Sequence, residues 1–450
     1  MKRFLKHWIG ARKDWFPNRG GLLDSLVSLT PSQLKTHALL IGATGSGKSN
    51  AIHHMIAQDI LLGHSFIVLD MRGDLISTVL QLCEGHVPPE KVKLFDLREK
   101  VRPFGFNPLF GKGEAYFRAL NVLDVVANEA ESWGVQLADS MRNGVLLLAE
   151  TQSPLTKLEA LFYDPNFRAD LVSKSSSESI RAFWQRYDTL SPDKQNTLAM
   201  PVMNKVSLLL STQALRRTLG HQAPVDIGAH LNTPGSITLI SLAVDELHAA
   251  GRMMGNMMLS TITREIFSRV DIPESKRNPV RLYVDEFENF AMSEFENILA
   301  EGRRFKLHLV LAHQTLAQLT PKIRSMILNN VGAKLVFRTG REDGAILSKD
   351  LTGDPKAFNL PDFPTGDCVL WTRDHAPIHI EINAPIVKNS DSMNPKLKAY
   401  IEAIRSFAPE FVEQREVIAD DEKPHVENTT IGSKRRRTSG KNVIDLEDWL

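Results

Sequence analysis

Residues 42–49 read Gly-Ala-Thr-Gly-Ser-Gly-Lys-Ser, the complete pattern GxxxxGK[ST], set between the apolar run Ala38-Leu39-Leu40-Ile41 and the helix-like start Asn50-Ala51-Ile52. The pattern calls for a strand that delivers the chain to a tight turn and a helix that carries it away. Glycines at 42, 45 and 47 let the backbone curl close to phosphate oxygens with its N–H groups pointing inward, and the anion then sits on a helix N-terminus. The expected nucleotide-binding set is therefore Gly42, Ala43, Thr44, Gly45, Ser46, Gly47, Lys48, Ser49 and Asn50. Lys48 supplies a cation toward the β and γ phosphates, and the Ser49 hydroxyl is the expected magnesium ligand, so the cofactors implied are ATP and Mg2+.

A phosphate loop alone does not imply hydrolysis. A second acidic motif is present, however: the β-rich run Val280-Arg281-Leu282-Tyr283-Val284 ends in Asp285-Glu286. In this pairing Asp285 is expected to hold magnesium through water and Glu286 to polarise the attacking water, which makes the chain an ATPase rather than a passive binder. A further apolar run, Leu309-Val310-Leu311-Ala312-His313, finishes in Gln314. Strands of a parallel sheet deliver such polar groups to the carboxyl edge where the nucleotide sits, so Gln314 is the candidate γ-phosphate sensor.

These motifs, together with Leu69-Asp70-Met71-Arg72-Gly73-Asp74 and Asp285-Glu286-Phe287-Glu288-Asn289-Phe290, occur in the order seen in HerA/FtsK-type ATPases. Within that group the chain most resembles the soluble motor portion of type IV secretion coupling proteins. Coupling proteins carry Asp-Pro-Lys-Gly-acid after the second strand; here residues 70–74 keep the Asp, a basic residue, the Gly and the acid, and lack the Pro. The resemblance spans most of residues 30–385 and implies a homo-hexameric ring in which an arginine of one subunit completes its neighbour's site. Gly302-Arg303-Arg304 matches the place of that arginine, with Arg303 first, Arg304 second, and Arg338 and Arg341 as more distant candidates.

The implied fold class is α/β, a RecA-like P-loop NTPase core with a mostly parallel sheet flanked by helices, plus an inserted all-α domain and a disordered C-terminal tail. The expected divisions are an N-terminal segment 1–29, core 30–110, the inserted helical domain 111–222, core 223–387, a C-terminal helical stretch 388–415 and a tail 416–450. Within the insert, Leu120, Val122, Leu123 and Val126 recur at helical spacing, and helices are expected near residues 116–131, 140–151 and 178–187. The run Gly235 to Leu242 reads as a buried parallel strand. Met253, Met254, Met257 and Met258 mark the buried face of a helix over residues 251–269. A helix is also expected from Pro395 to Phe407.

At 450 residues with 42% hydrophobic content the chain can bury a large core and exceeds one ordinary domain. No apolar run approaches the roughly 18 residues a membrane span needs, and no secretory signal is legible, so a cytoplasmic location is expected. Cys83 and Cys368, far apart and without CxxC spacing, fit a reducing compartment and no metal site. His53 and His54 are adjacent, cannot share a helix face, and read as structural.

Lys434-Arg435-Arg436-Arg437 reads as a solvated charge run. Residues 443–450 alternate apolar and acidic side chains in the manner of a docking peptide or a frayed end. The net charge of +1 is unlike that of domains that wrap DNA from outside, but a ring needs basic groups only along its channel. The leading expectation is an ATP-driven hexameric DNA translocase whose binding to DNA is independent of sequence. The alternatives are a ring that regulates a partner nuclease or effector through the helical domain or residues 443–450, and a polypeptide-handling secretion ATPase.

Overall fold

The computed structural model describes residues 7–12, 26–29, 33, 35–130, 132–290, 292–383, 385–387 and 394–411. Eleven strands form one sheet: β1 (His7–Arg12), β2 (Leu26–Leu29), β3 (His37–Ile41), β4 (Ser65–Asp70), β5 (Val92–Asp96), β6 (Ile237–Ser241), β7 (Val280–Val284), β8 (Leu307–His313), β9 (Val331–Val336), β10 (Asp367–Thr372) and β11 (His375–Ile382). Their order is β2-β1-β11-β10-β9-β3-β8-β7-β4-β6-β5. Every pairing from β9 through β3, β8, β7, β4 and β6 to β5 is parallel, whereas β10 and β11 form an antiparallel hairpin that β1 and β2 extend.

The parallel strands are apolar and β-branched because helices cover both of their faces. All residues of β3, β4, β6, β7, β8 and β9 are buried. The helix Ala249–Phe267 is buried along most of its length, and Met253, Met254, Met257 and Met258 are each at most 2% exposed, as their spacing predicts. The strand expected between Gly235 and Leu242 occupies Ile237–Ser241, and the C-terminal helix runs Pro395–Arg405.

Between β5 and β6 the regular elements of residues 115–232 are helical: Ala115–Asn128, Val135–Glu150, Leu158–Tyr163, Pro165–Lys174, Glu178–Asp188, Pro192–Val206, Gln213–Leu219 and Ile227–Asn232, with one short 3-10 turn. An aromatic cluster holds this part together. Trp184 lies edge-on to Phe162 and Tyr187, with ring centroids 5.1 and 5.3 Å apart, and is fully buried. Arg168, 2% exposed, satisfies its guanidinium on Asp188 and on the carbonyls of Leu161 and Phe162. The helix Ala115–Asn128 packs on Ala249–Phe267, which ties these helices to the sheet.

One polar knot fastens the helix after the phosphate loop, Lys48–Leu62, to β7. Asp59, fully buried, accepts from Arg281 and from the Tyr283 hydroxyl at 2.6 Å, with His64 at 3.1 Å. The expected tail 416–450, with the basic run 434–437 and the docking-like residues 443–450, lies outside the described residues. Among the described residues no helix is long and apolar enough to cross a membrane.

Candidate nucleotide site

The loop Gly42–Ser49 leaves the end of β3, the strand flanked by β8 and β9, and opens the helix Lys48–Leu62. Gly47, the residue before this helix, has φ 111°, a left-handed conformation that L side chains adopt only under strain. Neighbouring segments clamp the loop. Ala43 N–H donates to the Arg338 carbonyl at 2.7 Å, Gly42 N–H to the His313 carbonyl at 3.2 Å, and Gly366 N–H to the Ser46 carbonyl at 2.9 Å. The Thr365 hydroxyl donates to the Gly45 carbonyl at 3.2 Å, and the Asn50 side-chain amide donates to the Asn383 carbonyl at 2.7 Å. A Cβ on Gly42 would stand 2.6 Å from Phe337 Cβ, so this position has room only for hydrogen.

The sheet order places the other motifs beside the loop. β8 pairs with β3 on one side and β7 on the other, so Gln314, just beyond β8, stands between the phosphate loop and Asp285-Glu286 beyond β7. Gln314 bridges the two. Its Nε2 donates to Glu286 Oε1 at 3.1 Å, and its Oε1 accepts from the Thr44 hydroxyl at 3.1 Å.

Glu286 itself has φ 52° and ψ 46°. A non-glycine residue in the left-handed region costs on the order of 1–3 kcal/mol and persists where the surroundings impose it, a pattern concentrated at active sites. Beneath it, Glu288 accepts from or pairs with His313 Nδ1 at 3.0 Å, and Phe287 packs against the same imidazole.

Thr44, Gly45, Lys48, Ser49, Asp285, Glu286 and Gln314 line one cleft, with Asp70, Arg72 and Asp74 from the turn after β4 on the same wall. The cleft encloses about 390 Å3, inside the roughly 300–1,000 Å3 range of small-molecule sites. Lys48 Nζ donates to the carbonyls of Gly42 and Ala43 at 2.6 and 3.1 Å. Burial lowers the Lys48 pKa, and the carboxylates of Asp285, Glu286 and Glu288 oppose that shift. Burial raises Asp285 to about 6, with Lys48 pulling it down and the neighbouring Glu286 and Asp70 pushing it up.

A magnesium ion fits this donor set. The Ser49 hydroxyl and the Asp285 carboxylate are hard oxygen donors on the same cleft, and magnesium is ordinarily held by one or two protein oxygens, waters and phosphate rather than by a protein cage. No group of three or more His, Cys, Asp or Glu side chains suited to a metal occurs among the described residues.

The arginines fall differently. Arg303 and Arg304 are exposed on the turn Gly302–Phe305 at the amino end of β8, beside His37 at the start of β3. β8 has seven residues, so this end lies about 23 Å from Gln314 at about 3.3 Å per residue, and neither arginine lines the cleft of its own chain. Arg338, one of the more distant candidates in sequence, holds Ala43 through its backbone carbonyl. Arg341 begins the helix Arg341–Thr352, whose Asp343 accepts from the Thr315 hydroxyl and the Leu316 N–H at 2.7 and 2.9 Å. Of the adjacent histidines, His54 Nε2 lies 3.2 Å from the Asn383 carbonyl, while His53 lines the nucleotide cleft with its pKa lowered to about 4 by burial and by His54.

Sequence reasoning did not foresee the Thr365-Gly366 clamp, the Asn50–Asn383 contact or the Glu288–His313 pair. Each joins residues far apart in the chain or depends on which way a strand-end side chain turns. The positions of Glu288 and His313 beside motif residues were the one available signal.

Residues 24–85 match the family model described as the type IV secretion-system coupling protein DNA-binding domain, and residues 279–352 match that of the TraM recognition site of TraD and TraG. A search of curated proteins gives no match. Among solved structures the chain is similar to the unbound bacterial conjugative coupling protein TrwBdeltaN70, with TM-score 0.58 and 16% identity over 88% of this chain and 97% of that one. It is also similar to the plasmid coupling protein TrwB in complex with the non-hydrolysable ATP analogue ADPNP, with TM-score 0.59 and 15% identity over 88% and 97% of the two chains. VirB4 of Thermoanaerobacter pseudethanolicus aligns with TM-score 0.55 and 12% identity over 84% of this chain and 96% of that one. The fold is that of these coupling proteins and of VirB4, and the resemblance carried by the sequence motifs is borne out.

Proposed function

We propose that this chain, a coupling-protein-like P-loop ATPase by its fold and its two matched segments, works as a homo-hexameric ring in the cytoplasm that hydrolyses ATP to move DNA without reading its sequence. The observation that carries the hydrolytic part is the convergence of Lys48, Asp285, Glu286 and Gln314 on one cleft, with Gln314 hydrogen-bonded to both the loop and the catalytic carboxylate.

In this reading the backbone N–H groups of residues 42–49 cradle the phosphates and Lys48 leaves its loop carbonyls for the β and γ oxygens. Ser49 and, through water, Asp285 would hold magnesium, which when bound would neutralise phosphate charge. Glu286 accepts a proton from the attacking water, and Gln314 orients that water and senses whether the γ phosphate is present. Because Gln314 ties Glu286 to Thr44, loss of the γ phosphate changes both ends of one hydrogen-bonded bridge. Arg303, on the opposite edge of the sheet, acts only on a neighbour's nucleotide, which fits a ring and not an isolated subunit.

The DNA part is supported by the coupling-protein segment at residues 24–85 and by the likeness in fold to conjugative coupling proteins. A protein partner is supported by the segment at residues 279–352, which resembles a partner-recognition region. The test of the catalytic assignment is Glu286→Gln. It should remove hydrolysis while nucleotide binding and ring assembly persist; normal turnover in this variant would overturn the assignment.

A further inference from the structure

None of the four candidate arginines, Arg303, Arg304, Arg338 and Arg341, lines the cleft, yet one arginine does. Arg72, in the turn after β4, lines the cleft with Asp70, Asp74, Asp285 and Glu286. It is the only arginine among the lining residues of that cleft. Lys48 follows β3 and Arg72 follows β4, and β8 and β7 lie between these strands, so the segments that carry the two cations are three strand spacings apart, about 14 Å at about 4.8 Å each.

The turn that carries Arg72 is fixed on both sides. Asp70 Oδ1 accepts from Arg72 N–H at 3.0 Å, and Asp70 Oδ2 accepts from the N–H groups of Leu75 and Ile76 at 2.8 and 3.2 Å, which caps the helix Asp74–Cys83. Arg98 Nη1 donates to the Arg72 carbonyl at 2.9 Å, and the remaining Arg98 nitrogens are held by Asp245 and Glu246 at 2.6 Å each. Gly73 completes the turn at φ 101°, where a Cβ would stand 2.7 Å from Ser241 Oγ. The backbone of Arg72 is therefore pinned through its N–H, its carbonyl and the following glycine. Its exposed guanidinium has no hydrogen bond or ion pair among the described residues.

A rigid turn that presents a free guanidinium to a cleft walled by four carboxylates has two physical readings, counter-charge for those carboxylates or a cation for an anionic ligand. The carboxylates nearest to Arg72 in sequence are already engaged or exposed: Asp70 is consumed by three backbone N–H groups, and Asp74 faces solvent. Neither forms an ion pair with Arg72.

We infer that Arg72 is a phosphate-contacting cation acting within its own subunit, on the terminal phosphate of the nucleotide and opposite Lys48. The inference rests on the reading of this cleft as an ATP site. An arginine supplied in this way stabilises charge on the transferred phosphoryl group, and its planar fork suits phosphate better than a lysine does. Hydrolysis then draws on two arginines with separate duties, one internal and one from the neighbouring subunit.

The test compares wild type, Arg72→Ala and Arg72→Lys for steady-state ATP hydrolysis and for equilibrium binding of ATPγS and ADP, with thermal melting as the folding control. Arg72→Ala should lower kcat on the order of 10³-fold. It should also reduce the preference for ATPγS over ADP at least tenfold, leave ADP affinity within about threefold, and melt normally because the side chain has no partner to lose among the described residues. Arg72→Lys should recover part of both losses. A kcat within threefold of wild type, or an unchanged ATPγS-to-ADP preference, would overturn the inference. Mere counter-charge would shift the pH profile through Asp285 and Glu286 and leave that preference intact. If wild type shows no Lys48-dependent hydrolysis, the ATPase reading fails, and the binding preference still decides the role of Arg72.

Discussion

Replacing Asp59 with alanine tests whether the polar knot beneath the phosphate loop holds the helix Lys48–Leu62 to β7. Asp59 is fully buried and accepts from Arg281, whose side chain is 9% exposed, and from the Tyr283 hydroxyl, which is fully buried. Burial alone would disfavour a charged Arg281, but the adjacent Asp59 raises its pKa above the ordinary value, so the guanidinium stays charged. Removing the carboxylate leaves that charge buried without its partner, which costs about 3–5 kcal/mol. The orphaned Tyr283 hydroxyl belongs to the same network, so its roughly 1–3 kcal/mol does not simply add.

The expected loss is about 4 kcal/mol, read by equilibrium urea denaturation followed through tryptophan fluorescence. The double variant Asp59→Leu with Arg281→Met removes both charges and should return to within about 1 kcal/mol of wild type, because a buried ion pair contributes little beyond what matched apolar groups supply. Nucleotide affinity at low temperature should be unchanged, since Asp59 lies three turns down the helix from Lys48. A loss below about 1 kcal/mol for Asp59→Ala, or a double variant no better than the single one, would refute the reasoning.

Two further outcomes follow from the site. Asp285 has its pKa raised from 3.8 to about 6, so the folded, nucleotide-free protein holds this proton more tightly than the unfolded chain. Its contribution to stability is present below about pH 4 and is lost as the pH rises through 6, a cost of roughly 3 kcal/mol at 1.36 kcal/mol per pH unit. Asp285→Asn should therefore stabilise the nucleotide-free protein at pH 7 and not at pH 4, as a pair of denaturation curves would show. Gly42→Ala places a methyl 2.6 Å from Phe337 Cβ and 3.0 Å from the Arg338 carbonyl, so it should cost about 1–3 kcal/mol of stability and weaken nucleotide binding tenfold or more, measured by titration with a fluorescent ATP analogue.

The parts of the fold legible in the sequence were those written locally. The loop glycines, the apolar runs of β3, β7 and β8, and the methionine face of the helix Ala249–Phe267 each follow from periodicity or a fixed spacing. Three of the four catalytic candidates, Lys48, Glu286 and Gln314, and the metal candidate Asp285 were legible as neighbours because a parallel sheet brings strand ends to one edge whatever the loops between them do, while the fourth, Arg303, stands at the amino end of β8. What stayed hidden depends on order across the sheet. β1 pairs with β11, distant in the chain, and carries the short strand β2 at the sheet edge, and their sequences, His7–Arg12 and Leu26–Leu29, carry little alternation.

Arg72 shows the same limit. Its match to the basic position of a coupling-protein motif is visible in the sequence, but its free guanidinium on the cleft wall depends on Arg98 and on Gly73 beside Ser241, which come from three different strand ends.

The central claim is tested most directly by steady-state ATP hydrolysis at moderate salt without DNA, with single-stranded DNA and with duplex DNA, using Lys48→Ala as the blank. The account predicts Lys48-dependent turnover that one form of DNA stimulates and that added salt returns toward the basal rate, because phosphate contacts release counterions on binding. Lys48-dependent hydrolysis indifferent to both DNAs would contradict the translocase reading and favour a ring that handles polypeptide or controls a partner.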